Sequence, residues 1–409
     1  MKIFKEYLHL PREVYVLVVA KTINGLGNFI MPLLTLILTE KVGLNGSQAG
    51  FYMLMLNVCF VPGLLFGGRL ADSLGRKKVI IIFHSLAALV FMACGFIKPS
   101  MLVVYLLMLG SSFLAASLPA YDALLADLTN EHNRKRAFSL TFMGHNLGFS
   151  IAPVLGGFLF RNYLYLVFII DAISTVISVI LVAIYIPNME YNQSKAKNEV
   201  REEKSQEKNL NVFQFLLNNK YILIFSGILF FYNFAFSQLA FTLPIHVVQL
   251  FPENGPKYYG TMEGLNGVLI LILTPIMTRL TIKSRPTKAI AMGGILYTLT
   301  FALLIFVGPL SMFYLAILVM TFGETMITVN NNAFISGMTP PPYRGRVSGI
   351  FQIIYGAGFA IGPFIMGILL DYISIHEVWA TITIIMALAS LFMLSLTRRM
   401  RRKKIEGHY

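Results

Sequence analysis

Charge is scarce in this chain. Only 13% of its 409 residues are Asp, Glu, Lys or Arg, about half the share that soluble domains carry. Acids are scarcer still, 19 against 33 basic residues, which leaves a formal net charge of +14. Cysteine is limited to Cys59 and Cys94. Both lie in apolar stretches and read as buried thiols, so a disulfide scaffold is excluded and the redox compartment is not legible from them. No Walker-type phosphate loop or nucleotide-binding domain occurs, which argues against ATP-driven pumping. His84, His145 and His246 stand apart without metal-ligand spacing, so neither metal nor cofactor is expected. The basic runs carry no interleaved aromatics on a polar face, which argues against a nucleic-acid partner. Without a soluble domain, enzyme and receptor readings are also weak.

What the chain has is apolar length. Hydrophobic residues make up 56%, with 32 glycines besides. Twelve membrane spans of about 22 residues would occupy roughly 65% of such a chain, close to its apolar-plus-glycine share. Long apolar runs cut by Gly, Pro and charge clusters predict spans near 14–38, 48–70, 78–97, 101–126, 137–160, 163–187, 221–249, 259–282, 287–307, 310–336, 346–370 and 377–397. The first run is too long for a signal-peptide core and lacks a small-residue cleavage site. None of the runs alternates as barrel strands do. The expected fold is therefore an all-α membrane protein. On these boundaries Lys41, Lys98, Arg161 and Lys257 fall on one side and 28 of the 33 basic residues on the other. Basic residues mark the cytoplasmic face, so both termini are expected inside, in a multi-pass protein of the cell membrane.

The stretch 188–220 is polar, with mixed charge in SKAKNEVREEKSQEK. It reads as a cytoplasmic linker between two six-helix bundles, 1–187 and 221–397. A basic tail, 398–409, follows beside anionic headgroups, as a topology anchor or a lipid contact. The bundles resemble each other at an offset of 210 residues. Arg134, Arg136, Gly148, Phe149, Ile151, Pro153 and Gly157 meet Arg344, Arg346, Gly358, Phe359, Ile361, Pro363 and Gly367. A repeat of this kind predicts pseudo-symmetric halves, a path on the axis between them, and access switched by rocking one half against the other.

The strongest local motif joins the second and third spans: Gly68-Arg69-Leu70-Ala71-Asp72-Ser73-Leu74-Gly75-Arg76-Lys77-Lys78. Its glycines suit a tight turn, and a carboxylate at a span end can accept from helix N-termini and pair with nearby arginine. This string resembles the signature loop of the major facilitator superfamily, and the twelve-span layout and the repeat agree with it. The resemblance covers essentially the whole chain. It implies that Asp72 and Arg76 latch the cytoplasmic face in the outward-facing state, with Asp127 as acidic partner. The gate would comprise Gly68, Asp72, Gly75, Arg76 and Asp127. The equivalent second-half loop has Ile282 where Asp72 would recur, so the latch should be asymmetric.

Span five spaces Gly144, Gly148, Ala152 and Gly156 four residues apart, with Pro153 and Gly157 beside them. Small residues on one face allow close helix approach and Pro153 adds a bend. The set resembles the antiporter motif of the twelve-span drug:proton branch, with Ala152 replacing a glycine; ordinary helix packing explains the glycines equally well. One departure stands out. The span-four arginine of that branch is absent, since Leu106 precedes Gly110 at its position, and its proposed part in proton transfer does not carry over.

Polar groups inside spans are costly and usually face a cavity or the bundle interior. Lys21, Asn24, Asn28 and Pro32 fall on one predicted helical face of span one. Lys21 could bind an anion, neutralise an acid or snorkel to the interface. Among the acids, Glu324 lies near the midplane of span ten and Asp122 near the end of span four. Burial favours their protonated form, so both are candidates for proton coupling; Asp171 and Glu263 lie nearer the outer side. Candidate path residues are Asn57, Asn146, Tyr232, Asn233, Phe234, Gln238, Asn266, Asn331, Gln352 and Tyr355, a lining suited to an amphipathic ligand. The expectation is a monomeric secondary transporter in membrane lipid that exports small amphipathic molecules in exchange for protons. The alternative is a uniporter or importer of a sugar, amino acid or similar metabolite.

Overall fold

The computed structural model describes residues 10–130, 132–187, 212–340 and 343–402. The linker up to residue 211 and the tail beyond Arg402 lie outside them. Every regular element among the described residues is helical. In chain order these are α1 Arg12–Gly27, α2 Ile30–Leu36 with a wider turn Ile37–Lys41, α3 Gly46–Leu74, α4 Arg76–Phe96, α5 Met101–Asp127, α6 Arg134–Leu159 and α7 Leu164–Tyr185. After the linker come α8 Val212–Asn218, α9 Lys220–Phe236, a 3-10 turn Ser237–Leu239, α10 Thr242–Leu250, α11 Gly255–Thr281, α12 Pro286–Ile305, α13 Leu310–Met338, α14 Arg344–Leu370 and α15 Ile375–Arg402.

Among the described residues, eleven helical segments are long and apolar enough to cross a membrane. The expected fifth span forms a 26-residue helix, α6, but is not among the eleven. It carries Ser139, Thr141, His145, Asn146 and Ser150 along its length, which dilutes its apolar character.

Local chemistry accounts for several boundaries. Asn45 opens α3 with a reciprocal cap: its side chain accepts from the Gln48 amide at 2.9 Å, and the Gln48 side chain accepts from the Asn45 amide at 3.3 Å,. Gly75 ends α3 and starts α4 at φ +92°, a conformation that costs glycine nothing. Gly68, expected to share that turn, lies inside α3. There the nearest atom to an added Cβ would be Pro119 Cβ at 3.9 Å. The close approach is made by Gly67, where a Cβ would overlap the Ala116 carbonyl of α5.

The chain packs into two units. One comprises Met1–Tyr191 with Pro244–Val268, the other Asn192–Leu243 with Leu269–Tyr409. The division after Tyr191 falls within the expected linker 188–220, and Pro244–Val268, from the second expected bundle, joins the first unit. Glycines make that packing possible. A Cβ at Gly260 would overlap the Pro153 carbonyl, one at Gly264 would lie 2.9 Å from the Ser150 carbonyl oxygen, and one at Gly267 would lie 2.6 Å from Ser150 Cβ.

Each unit also holds one seam of the repeat. In the first, Gly144 and Gly148 of α6 close on Thr22 of α1, and Gly156 closes on Leu33 of α2. In the second, Gly358 of α14 closes on the Phe230 carbonyl of α9, and Gly362 on Ser237. The repeated arginines do the same work. Arg134 donates to the Ala126 carbonyl at 3.3 Å, and Arg344 to the Thr339 carbonyl at 3.0 Å. Each cation thus sits at the carbonyl end of the preceding helix, where the backbone dipole favours it.

Candidate functional site

The first expected span is not one helix. It stops at Gly27 and restarts at Ile30, so the predicted stripe Lys21, Asn24, Asn28 and Pro32 is not a continuous face. Phe29 donates to the Gly27 carbonyl at 2.8 Å, a turn too tight for a helix. The freed amide of Ile30 donates to Asp171 Oδ2 at 3.3 Å. Asp171, on α7, is buried and acts as a cap for the broken helix. At the repeat offset, Asn28 corresponds to Gln238, and there the seventh expected span breaks as well. Gln238 satisfies that break itself. Its Nε2 donates to the Phe234 carbonyl at 3.1 Å and to Ser237 Oγ at 2.9 Å, while its Oε1 accepts from Thr242 at 2.8 Å. It is fully buried, and its polar atoms are committed to the backbone break.

Within the first unit, five helices converge on a cavity of about 220 Å³. Lys21 and Asn24 come from α1, His84 from α4, Leu118, Tyr121, Asp122 and Leu125 from α5, and Phe138, Thr141, Phe142 and His145 from α6; α7 backs it. Lys21 Nζ stands 3.6 Å from Asp122 Oδ1 and 5.1 Å from the centre of the Tyr121 ring. The pair is unequal, since the Lys21 side chain is 24% exposed and that of Asp122 64%. Tyr121 is held by Ser178 at 3.1 Å and Asn24 by Thr175 Oγ1 at 3.1 Å, both on α7. His84 is buried with its ring centre 5.1 Å from that of Tyr121, and its Nδ1 has no hydrogen-bond partner among the described residues. The cavity therefore gathers one cation, one carboxylate and two imidazoles. In sequence the two histidines are 61 residues apart, and only the tertiary fold unites them.

A second cluster lies within the second unit. Glu324, on α13, is within electrostatic reach of the phenols of Tyr297 on α12 and Tyr355 on α14. Its neighbour Gly323 leaves room for the Tyr297 ring, which would lie 2.8 Å from an added Cβ. The Tyr297 ring centre is 6.3 Å from that of Tyr232 and 6.2 Å from that of Phe236. Asn233 donates to the Tyr355 carbonyl at 2.8 Å. Tyr297 belongs to no sequence motif and was not legible as part of this cluster.

The remaining candidates fall as follows. Arg76 pairs with Asp127. Asp72, expected in the same gate, is exposed and forms no ion pair among the described residues. Asn57 donates to Met53 O at 2.9 Å and Asn146 to Phe142 O at 2.8 Å, each on its own helix. Asn331 is buried with its Oδ1 unpartnered among the described residues, and its neighbour Asn330 donates to Thr281 Oγ1 at 3.2 Å. Gln352 is exposed, Phe234 is buried, and Asn266 is half-buried on α11. In the antiporter-like set, Ala152 and Pro153 are buried within the seams described above. No group of acids, histidines and cysteines suited to a metal occurs among the described residues.

Helical bundles with broken spans, polar groups turned inward and an internal repeat define a membrane transporter. Comparison with known families places it: the Major Facilitator Superfamily matches residues 17–255 and again 253–407, and the chain belongs to that family. It is a multi-pass membrane transporter of small molecules and not an enzyme. It is similar to the MFS-type transporter YttB of Bacillus subtilis, 23% identical, over 97% of this chain and 98% of that one. The Na(+), Li(+), K(+)/H(+) antiporter of Planococcus maritimus is 24% identical over 82% and 84% of the two chains. The class B tetracycline resistance protein of Escherichia coli is 23% identical over 91% and 92%. Among solved structures, the nucleoside transporter NupG superposes with a TM-score of 0.78 at 14% identity, covering 95% of this chain and 99% of that one, which supports the fold.

Proposed function

We propose that the protein is a proton-coupled exporter of small amphipathic molecules, working by alternating access. The observation that carries this reading is Glu324, a carboxylate within a candidate span and within electrostatic reach of Tyr297 and Tyr355. Aromatic faces hold an apolar or cationic ligand, and a carboxylate among them binds either that ligand or a proton. Competition between the two for one acid is a physical basis for exchange. Asp122, in loose contact with Lys21, is a second proton site on this reading. Relatives named for tetracycline resistance and for cation/proton antiport favour the same direction and coupling. Both termini would be cytoplasmic and the protein would act as a monomer.

The test is flux in proteoliposomes under an imposed pH gradient, with tetracycline and a lipophilic amine as probes. An inward-acid gradient should drive uptake into the vesicles, and Glu324→Gln should abolish the gradient-driven part while leaving exchange at equal pH. Flux that ignores the gradient, or that Glu324→Gln leaves unchanged, removes the proton-coupled reading. A second reading, transport of an anionic metabolite, draws on the Lys21 cavity, whose cation is paired at 3.6 Å with a largely exposed carboxylate. Saturable uptake of an organic acid that is lost in Lys21→Gln, with no proton movement, would favour it.

A further inference from the structure

A further cavity, lined by none of the residues of either cluster, lies at the ends of helices of the second unit. It encloses about 900 Å³ between the start of α9 and the last turns of α15. Lys220, Arg399 and Arg402 stand on its wall, and Ile224, Ile228 and Phe392 form its apolar side. Among the described residues, no acidic side chain lines it. None of the three cations forms an ion pair among the described residues.

We propose that this groove is a binding site for an anionic phospholipid, with the phosphodiester held by Lys220, Arg399 and Arg402. Three observations carry this. Phe392, Arg399 and Arg402 follow one another along one face of α15, with apolar residues towards the membrane interior and cations at the helix end. That is the polarity of a lipid, tail to headgroup. Phe392 and Ile224 are 64% and 44% exposed. Large apolar side chains left open beside the groove suit a lipid tail and not a free phosphate. The volume is several times that of the first cavity and takes a glycerophosphate headgroup together with the first acyl methylenes. Basic pockets between helix ends are suited to anionic headgroups, and each cation near the surface contributes. Arginine adds geometry, since its planar fork takes two phosphate oxygens at once.

The same helix supplies its own control. Arg398 and Arg401 carry equal charge on the same turns but do not line the groove. The experiment is native mass spectrometry of the full-length protein equilibrated with mixed micelles of phosphatidylglycerol and phosphatidylcholine. The wild type should retain phosphatidylglycerol selectively. Lys220→Gln with Arg399→Gln and Arg402→Gln should lower that retention by about tenfold or more, whereas Arg398→Gln with Arg401→Gln should keep it. Equal losses in the two variants would show diffuse attraction to the tail and overturn the site. So would unchanged retention in the triple variant, no preference over phosphatidylcholine, or full displacement of the lipid by inorganic phosphate at matched concentration.

Discussion

Gly67 and Gly68 show what a single side chain decides here. They are adjacent in a sequence motif, yet only Gly67 is pressed against the backbone of another helix, while Gly68 has open space. Replacing Gly67 with Ala forces α3 away from the Ala116 carbonyl, and overpacking of this kind costs about 1–3 kcal/mol. Gly68→Ala should cost nothing measurable and gains slightly in helix propensity. Thermal unfolding in detergent, followed by circular dichroism, separates the two; equal melting temperatures would contradict the packing described. The motif pointed to this loop but not to the glycine under pressure, because contact across helices leaves no mark on spacing along one helix. The same limit applies to the cavity around Lys21. Lys21, Asn24 and Asp122 were legible as polar residues in apolar runs. His84, His145 and Tyr121 were not, since each alone reads as an ordinary side chain.

At the scale of the element, the decisive features are the two broken helices. Their position could not be read from the sequence, for Gly27-Asn28-Phe29 contains no proline and glycines abound throughout. The repeat offset nevertheless carries the break from Asn28 to Gln238, so the symmetry was legible where its consequence was not. The two breaks are satisfied by different chemistry. Gln238 and Thr242 close the second with neutral groups, whereas the first depends on the Asp171 carboxylate of another helix. Removing that acceptor leaves a buried amide unpaired, at about 1–3 kcal/mol. Asp171→Ala should therefore melt well below the wild type. Asp171→Asn keeps a carbonyl oxygen in place and should recover most of the loss. If both variants melt together with the wild type, Asp171 does not cap α2.

At the scale of the whole molecule, the long helices, the repeat and the family were legible because they rest on composition and spacing, which survive in one dimension. The charge bias also looked like a single signal, but the bases on its minority side have local work. Lys41 donates to the Arg161 carbonyl at 3.0 Å, Arg161 pairs with Glu40 at 3.2 Å, and Lys257 lies 4.6 Å from the Phe158 ring centre. Those charges are part of the packing of the first unit. The two matching loops differ in their ion pairs. Arg76 and Asp127 pair in the first half, whereas Arg279, Lys283, Arg285 and Lys288 of the matching segment form no ion pair among the described residues. The pair's side chains are only 20% and 30% exposed, so solvent screens it incompletely, and losing it should cost about 1 kcal/mol. A double-mutant cycle reads the pair directly. Arg76→Gln and Asp127→Asn should each destabilise by that amount, and their combination should cost little more than either alone. Asp72→Asn should leave the melting temperature unchanged, as an exposed carboxylate without an ion-pair partner predicts. In vesicles, Asp127→Asn should alter the transport rate while Arg279→Gln does not. Strict additivity in the cycle, or equal effects in the two loops, would mean that the first half holds no special latch.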